Sequence, residues 1–165
     1  MVTEERASDR AVVLKSGEGK AVWFLGNLMV VKATAGSTNG GYGLLESLVA
    51  AGASPPMHIH RREDETFWVL EGALSVTCGE ETYDAPAGSY VFLPRDVPHT
   101  FRVVSPTPAR HLTLLTPGGG EQFFVEAGRP AERATLPPAG PPDLVKLKRA
   151  AQMFGSEFVG PPLAG

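Results

Sequence analysis

Short apolar segments, each separated from the next by turn residues, dominate the chain from Ala21 onward. Seven of these segments follow the Pro55-Pro56 pair, are four to eight residues long and read MHIH, ETFWVLEG, ALSVTCG, ETYDAPAG, SYVFLP, HTFRVV and RHLTLLT. In ETFWVLEG, the two-residue period of a strand places Glu65, Phe67 and Val69 on one face and Trp68 and Leu70 on the other. Many short strands bounded by Gly, Pro, Asp and Ser predict an all-β fold of the sandwich or barrel type.

Two further strands are expected before this block, and one segment stays ambiguous. AVWFLG and LMVVKAT precede Thr38-Asn39-Gly40-Gly41, where Asn and Gly tolerate the positive φ of a tight hairpin. The next segment, YGLLESLVAAGA, has apolar residues at helical spacing, whereas its flanking Gly and Pro residues suit a strand. Local sequence does not decide between helix and strand here.

The C-terminal part of the chain has a different composition. Residues 127–142 are rich in Pro and Gly, which predicts a linker or an arm on the surface. Asp143 can then cap a short amphipathic helix that Gly155 ends. The apolar stripe of this helix is Leu144, Leu147, Ala151 and Phe154. Its polar side, with Lys146, Lys148 and Arg149, is interpreted as a solvated face.

Length and composition favour a single domain with many turns. The chain has 165 residues, of which 19 glycines and 15 prolines make up about a fifth, above the average of ~12 %. We expect a flexible tail over residues 1–20, a β-barrel over 21–126, and an arm with the C-terminal helix over 127–165. The Gly118-Gly119-Gly120 stretch lacks the GKS or GKT ending of a phosphate loop and is interpreted as a flexible turn.

Charge and targeting signals exclude several classes of function. The net charge of −3 leaves no basic excess to neutralise a phosphate backbone, so nucleic acid is not an expected partner. The single cysteine, Cys78, cannot form an intramolecular disulfide. The start, MVTEERASDR, is charged, and no apolar run approaches the ~18 residues of a membrane span. We therefore expect no signal peptide, no membrane segment and a cytoplasmic location.

Three of the four histidines lie in two short motifs near a carboxylate. The strand period of two places His58 and His60 on one face, and Glu65 shares a face with the apolar Phe67. His99 opens a later strand. Three imidazoles and one carboxylate suffice for a first-row metal ion and leave positions for water or substrate. The alternative is that the histidine pair is a solvated face or a set of hydrogen-bonded core residues.

The spacing of the whole set resembles the first motif of the cupin superfamily. The order is Gly52, five residues, His58, one residue, His60, four residues, Glu65, six residues and Gly72, which matches that motif at each position. A match at five spaced positions is a specific signal.

A second cupin motif is matched in part. Gly88, Pro94 and His99 stand at the expected spacing, whereas the usual glycine is Asp96 and the usual asparagine is Val103. These departures weaken the match in the turn and on the strand beyond it.

The flanking sequence extends the resemblance. Together with GEGKAVWFLGNLMVVKAT, the acidic run after His60 and the ending EFVGPP, residues 17–163 resemble bacterial single-domain cupins of the quercetin 2,3-dioxygenase-like group.

The resemblance implies a small double-stranded β-helix, or jelly-roll, barrel with one divalent metal ion per chain. The implied ligands are His58, His60, Glu65 and His99, and the metal is one of Fe, Mn, Ni, Co, Cu or Zn. The implied activity is a dioxygenase that opens a flavonol-like or other enolic aromatic molecule with loss of carbon monoxide. Glu65 would then be both ligand and proton acceptor.

Other residues receive weaker assignments. Glu63 and Asp64 are alternative carboxylates, and strand alternation argues against Asp64 because it faces away from Phe67. His111 is expected in a surface or edge position rather than in coordination. A dry pocket, or simply the barrel core, is expected from Phe67, Val69, Phe92, Phe101, Met153 and Phe154.

Two other functions remain open from the residues. A Lewis-acidic metal would also serve a non-oxidative cyclase or isomerase of polyketide-type substrates, and the same barrel would serve a non-catalytic protein that binds a small molecule. A homodimer is expected, because the N-terminal strand containing VWFLG and the arm after Gly128 offer material to cover open sheet edges.

Overall fold

Two antiparallel sheets form the body of the protein in a computed structural model that describes residues 11–165. The strands of this part of the chain are β1 (Lys20–Phe24), β2 (Asn27–Ala33), β3 (Gly43–Val49), β4 (His58–His60), β5 (Asp64–Glu71), β6 (Ala73–Cys78), β7 (Glu81–Pro86), β8 (Tyr90–Leu93), β9 (His99–Val103), β10 (Ala109–Thr116), β11 (Arg129–Pro130) and β12 (Ser156–Phe158). One sheet has the order β11-β1-β2-β3-β10-β5-β8, and the other has the order β12-β4-β9-β6-β7. The predicted all-β fold is confirmed, and the seven segments after Pro56 correspond to β4 through β10.

The ambiguous segment after Tyr42 is strand β3. It pairs with β2 on one side and with β10 on the other, and its Leu45 and Val49 are fully buried. Backbone pairing on both edges satisfies the N–H and C=O groups that a helix would have satisfied internally. Tertiary pairing therefore overrides the helical spacing of the leucines.

A short helix that the sequence did not predict, α1 (Glu121–Ala127), follows the glycine stretch. The buried carboxylate of Glu121 accepts hydrogen bonds from the backbone N–H groups of Ala35 (2.9 Å) and Gly119 (2.7 Å). Phe123 and Phe124 are buried against Phe24, with ring centroids 5.5 and 5.2 Å away. Long-range contacts thus anchor a helix of about two turns within the range where the sequence predicted barrel.

The C-terminal helix α2 (Leu144–Phe154) has the predicted ends. The Asp143 carboxylate accepts from the backbone N–H of Lys146, and Gly155 closes the helix with a φ of 74°. Leu147 and Ala151 are buried as expected, whereas Leu144 is 57 % exposed and does not belong to the apolar stripe. Beyond α2, strand β12 pairs with β4.

The first residues of the arm after Gly128 lie along strand β1. Arg129 and Pro130 pair with β1, and the Arg129 guanidinium lies 4.5 Å from the centre of the Trp23 ring. The Trp23 Nε1–H donates to the carbonyl oxygen of Thr135 at 2.7 Å. This arm therefore covers the edge of β1 within the same chain. Of the flexible tail expected over residues 1–20, residues 1–10 lie outside the part of the chain that the structure describes.

Three apolar clusters are buried in the described residues: a small one of Trp23, Leu28 and Val30, and two larger ones. One lies among the strands of both sheets: Val49, Phe67, Val69, Leu74, Val76, Ala85, Leu93, Phe101, Val103 and Ala109. The other joins the N-terminal strands to the two helices: Val22, Phe24, Met29, Val31, Leu45, Leu115, Phe123, Phe124, Leu147, Ala150 and Ala151. One cavity lies between these two clusters. It is lined by Phe101 of the first cluster and by Phe24, Met29, Phe123 and Phe124 of the second.

In the range 11–165, no helix is long and apolar enough to cross a membrane.

Glu46 on β3 is a buried carboxylate whose charge should stabilise the fold. Burial favours its protonated form, but contacts with Lys32, Ser16, Gly17 and Arg110 outweigh this and lower its pKa to about 2. A depressed pKa contributes stability above the ordinary pKa near 4.5, and this contribution is lost as the pH falls toward 2.

We expect Glu46→Gln to lower the free energy of unfolding by about 2 kcal/mol at pH 7. The difference from the wild type should shrink as the pH falls from 4.5 toward 2. Urea unfolding at a series of pH values measures both quantities. Glu71→Gln is the matched control, because Glu71 approaches the same Arg110 at 3.6 Å but is exposed, and it should cost less than about 0.5 kcal/mol. If the difference in unfolding free energy between Glu46→Gln and the wild type does not change with pH, the lowered pKa of Glu46 is contradicted.

Candidate metal centre

Three strands bring the four predicted ligands together. His58 and His60 are the first and last residues of β4, Glu65 is the second residue of β5, and His99 opens β9 directly opposite His58. The ligand atoms of these four residues all lie within 4.8 Å of one another. The two-residue period of a strand places His58 and His60 on one face, and the β4 to β9 pairing supplies the third imidazole.

The separations between donor atoms suit neighbouring ligands of one ion. Glu65 Oε2 lies 3.1 Å from His99 Nε2 and 3.5 Å from His60 Nε2. Ligands about 2.1 Å from an ion are about 3.0 to 3.4 Å apart in octahedral or tetrahedral arrangements. The His58 and His99 ring centres are 4.6 Å apart, and those of His60 and His99 are 5.3 Å apart. These residues therefore fit a single metal ion.

Hydrogen bonds on the outer side of each imidazole set its orientation. His58 Nδ1 lies 2.7 Å from the carbonyl oxygen of Pro56, and His99 Nδ1 lies 2.9 Å from that of Val97. A carbonyl oxygen only accepts, so in both residues Nδ1 carries a hydrogen, and Nε2 is the ring nitrogen that faces the cluster. His60 Nε2 is buried and has no hydrogen-bond partner among the described residues. An orphaned nitrogen beside a carboxylate is what a metal ligand without its metal presents.

The charges within the cluster favour a cation. Burial opposes ionisation of Glu65, but His60 and His99 outweigh burial and hold the pKa of this carboxyl well below its usual range. Burial likewise opposes the charged form of His60, yet the carboxylates of Glu65 and Glu63 raise its pKa to about 10. Burial, followed by the neighbouring imidazoles, lowers the pKa of His58 to about 4. The cluster therefore holds a buried carboxylate that needs positive charge beside it.

A cavity opens onto the cluster and is mostly apolar. Its aromatic lining is Phe24, Phe101, Phe123, Phe124 and Phe158, next to the ligands His58, His60 and Glu65. The rest of the lining is Leu25, Asn27, Met29, Ala53, Ser54, Pro55 and Ser156. None of these described lining residues is Lys or Arg. The cavity therefore suits a flat, apolar molecule that carries no strong negative charge.

The structure corrects part of the expected pocket. Of the six predicted residues, Phe101 lines the cavity, whereas Phe67 and Val69 belong to the same core cluster but do not reach the cavity. Phe92 is 51 % exposed, because it pairs with Thr66 on the outer face of the sheet, and Met153 is 46 % exposed on α2.

Phe154, the sixth predicted pocket residue, is partly buried against the cluster that includes α1 and is absent from the cavity lining. The sequence missed Phe24, Phe123, Phe124 and Phe158 as lining residues. Two of these lie on the unpredicted helix α1. The sequence signal for these lining residues is the adjacent pair Phe123-Phe124, which begins three residues after Gly120.

His111 is buried, and the surface or edge position expected for it is wrong. Strand β10 lies between β3 and β5 in the middle of the larger sheet, and its alternation directs His111 inward. The ring centre lies 4.6 Å from that of Phe67, and Nδ1 lies 3.2 Å from Thr113 Oγ1. Burial lowers the pKa of His111 to about 4, so the ring is neutral at pH 7. It is not part of the four-residue cluster.

The two alternative carboxylates point in different directions. Asp64 turns outward and forms an ion pair with Arg95 at 3.0 Å, in agreement with the alternation argument. Glu63 turns inward, and its Oε1 lies 2.8 Å from His60 Nδ1. Glu63 therefore contacts a ligand from behind, whereas Glu65 faces the donor atoms of the cluster.

Comparison with known proteins finds similarity to one family over part of the chain. Residues 45–115 match the family described as "Cupin domain". The chain is 29 % identical to quercetin 2,3-dioxygenase of Bacillus subtilis over 126 residues, which are 76 % of this chain and 37 % of that protein. It is 33 % identical to polyketide synthase CurC of Streptomyces cyaneus over 92 residues, which are 54 % of this chain and 58 % of that protein.

The chain thus spans about two fifths to three fifths of the length of these two relatives. Among solved structures, KdgF from Halomonas sp. superposes with a TM-score of 0.59 at 17 % identity, covering 68 % of this chain and 99 % of that chain. At this identity the likeness concerns the fold. The two-sheet barrel and the His and Glu cluster at the motif positions agree with the match of residues 45–115 to the cupin domain family.

Proposed function

We propose that the protein binds one divalent metal ion through His58, His60, Glu65 and His99 and acts as a dioxygenase. The proposed substrate is a flavonol-like or other enolic aromatic small molecule. The observation that carries this proposal is the cavity with five phenylalanines that opens directly onto three of the four donor residues, His58, His60 and Glu65. Similarity to quercetin 2,3-dioxygenase of Bacillus subtilis supports the reaction class.

The lining argues for an uncharged aromatic substrate over a small carboxylic acid. A carboxylate bound in the cavity away from the four donor residues needs a cationic partner, and the lining residues that the structure describes include no Lys or Arg. Aromatic rings offer faces and edges to a flat ring system, so Phe24, Phe101 and Phe123 would hold it by stacking and edge contacts.

The chain itself would contribute positioning, water exclusion and proton transfer. A bound metal ion supplies a Lewis acid that favours the deprotonated enol and makes reaction with dioxygen accessible. Glu65 stands among the donor atoms, where one of its oxygens can accept the enol proton. The phenylalanines of β1 and α1 exclude water from this proton transfer. His58, neutral at pH 7, keeps its Nε2 lone pair directed away from the Pro56 carbonyl.

Metal retention followed by oxygen uptake tests the proposal. Untagged protein is expressed in parallel in media supplemented with Fe, Mn, Ni, Co, Cu or Zn, and bound metal is measured by elemental analysis. We expect about one ion per chain and, with a redox-capable ion or with Ni or Co, oxygen uptake and carbon monoxide release on adding a flavonol. Oxalate is the control substrate and should give neither.

Other results would point to the alternatives. Retention of Zn alone, without oxygen uptake, would favour a non-oxidative cyclase or isomerase, to which the similarity to polyketide synthase CurC also leads. Absence of metal under every condition would leave a barrel that binds a small molecule without catalysis. Both outcomes would overturn the dioxygenase.

We also propose that the protein is a homodimer. The outer face of β5 and β8 exposes Trp68, Tyr90 and Phe92, and a second copy packed against this face would remove them from water. Light scattering after size-exclusion chromatography should give twice the mass of one chain at micromolar concentration. Trp68→Glu should shift the mass toward that of one chain, whereas Tyr83→Glu on the other sheet should not. A wild type of monomer mass would contradict the proposal.

A further inference from the structure

Glu63 contacts the cluster from outside and is absent from the four-residue motif. Its Oε1 lies 2.8 Å from His60 Nδ1, and both side chains are only 5 % exposed. The corresponding nitrogens of His58 and His99 face backbone carbonyl oxygens instead. His60 is therefore distinct among the three histidines, because a carboxylate holds its outer nitrogen.

The inward turn of Glu63 is built by its surroundings. Its two neighbours in the chain turn outward: Arg62 donates to the Met153 carbonyl oxygen, and Asp64, the first residue of β5, pairs with Arg95. The backbone at Gly120 packs so closely that an added Cβ there would lie 2.8 Å from Glu63 Oε1. The start of α1 thus covers this carboxylate, which makes the contact with His60 part of the packed structure.

We infer that Glu63 is a positioning residue for the metal ligand His60, an inference that rests on the proposed metal binding. With Nδ1–H donated to the carboxylate, Nε2 is the nitrogen that faces the cluster, where it has no hydrogen-bond partner among the described residues and is the atom that would bind the metal ion. A carboxylate behind an imidazole fixes the tautomer and the ring angle and strengthens the imidazole as a donor. Of the acidic run from Glu63 to Glu65, one carboxylate is a ligand and one acts through a ligand.

The test separates charge from hydrogen bonding and from folding. Metal-stripped wild type, Glu63→Ala, Glu63→Gln and Asp64→Asn are titrated with Co²⁺ against a competing chelator, and the visible absorption of the bound Co²⁺ is recorded. Loss of an outer carboxylate typically weakens metal affinity by about 10- to 100-fold. Glu63→Ala should reach this range, and Glu63→Gln, which keeps an acceptor oxygen without the charge, should lose less. Asp64→Asn, the outward neighbour, should stay within about twofold of the wild type.

The outcomes distinguish this inference from the proposed function. A wild type that does not bind Co²⁺ or any other metal of the series would contradict metal binding itself. A wild type that binds, with Glu63→Ala and Glu63→Gln matching it in affinity and absorption, would overturn only the role of Glu63. Thermal unfolding of the metal-free forms identifies a variant that is not folded. If Glu63→Ala is such a variant, the isosteric Glu63→Gln decides the matter by a shifted absorption and reduced affinity, or by their absence.

Discussion

Replacing His99 with alanine is expected to reduce bound metal from near one ion per chain to below about 0.1, with activity lost in parallel. The reason is geometric: His99 Nε2 lies 3.1 Å from Glu65 Oε2, and its strand stands opposite His58. Without this imidazole, the remaining donors come from β4 and β5 alone. Elemental analysis after expression in metal-supplemented medium, together with oxygen uptake, measures both losses. His58→Ala should give the same result.

His111 provides the matched control for this experiment. It is also a buried histidine in a strand, and its Nε2 has no hydrogen-bond partner among the described residues. Leucine has a similar size and removes this unpaired group, while Thr113 keeps a hydroxyl contact with Ser47 at 3.1 Å. His111→Leu should therefore retain about one ion per chain. The opposite pattern, with metal lost in His111→Leu and kept in His99→Ala, would refute the ligand set.

Replacing Glu65 with glutamine is expected to lower turnover by about 10² to 10⁴, with a smaller loss of bound metal. Glutamine keeps an oxygen that can remain a ligand, but a neutral amide does not accept the enol proton. Three measurements are needed: ions per chain, the turnover number and the KM for the enol. The expected signature is a large fall in turnover at an occupancy corrected to one ion per chain.

Asp64→Asn is the control for the change at Glu65. It removes a carboxylate one residue away, but Asp64 pairs with Arg95 on the outside of the barrel. Turnover and metal content should both stay near wild type. If Glu65→Gln loses metal and turnover to the same extent, Glu65 is a ligand only, and the proton acceptor lies elsewhere.

The aromatic wall of the cavity depends on elements distant in the chain. Phe24 comes from β1, Phe123 and Phe124 from α1, and Phe158 from β12. Helix α1 is held by the Glu121 carboxylate, which binds backbone N–H groups before β3 and before the helix itself. The apolar side of the site is therefore assembled by long-range contacts. The four donor residues, in contrast, lie in two short sequence motifs.

Local periodicity accounts for what the sequence alone determined. A two-residue period fixes which side chains share a strand face, so the local sequence predicts that His58 and His60 lie on one face. The same local patterns predict strands β4 to β10. The spacing from Gly52 to Gly72 adds the family resemblance and, with it, the expectation that Glu65 is a ligand. Turn residues mark the ends of these strands, because Gly, Pro and Asp interrupt regular pairing.

Only the tertiary structure decided which strands pair and what covers them. His111 is internal because β10 lies between β3 and β5, and Phe92 is external because β8 pairs with the edge of β5. Glu63 becomes part of the site because the Gly120 backbone closes over it. Such contacts join residues far apart in the chain, so no local pattern encodes them, and the free energy of burying the whole set selects them together.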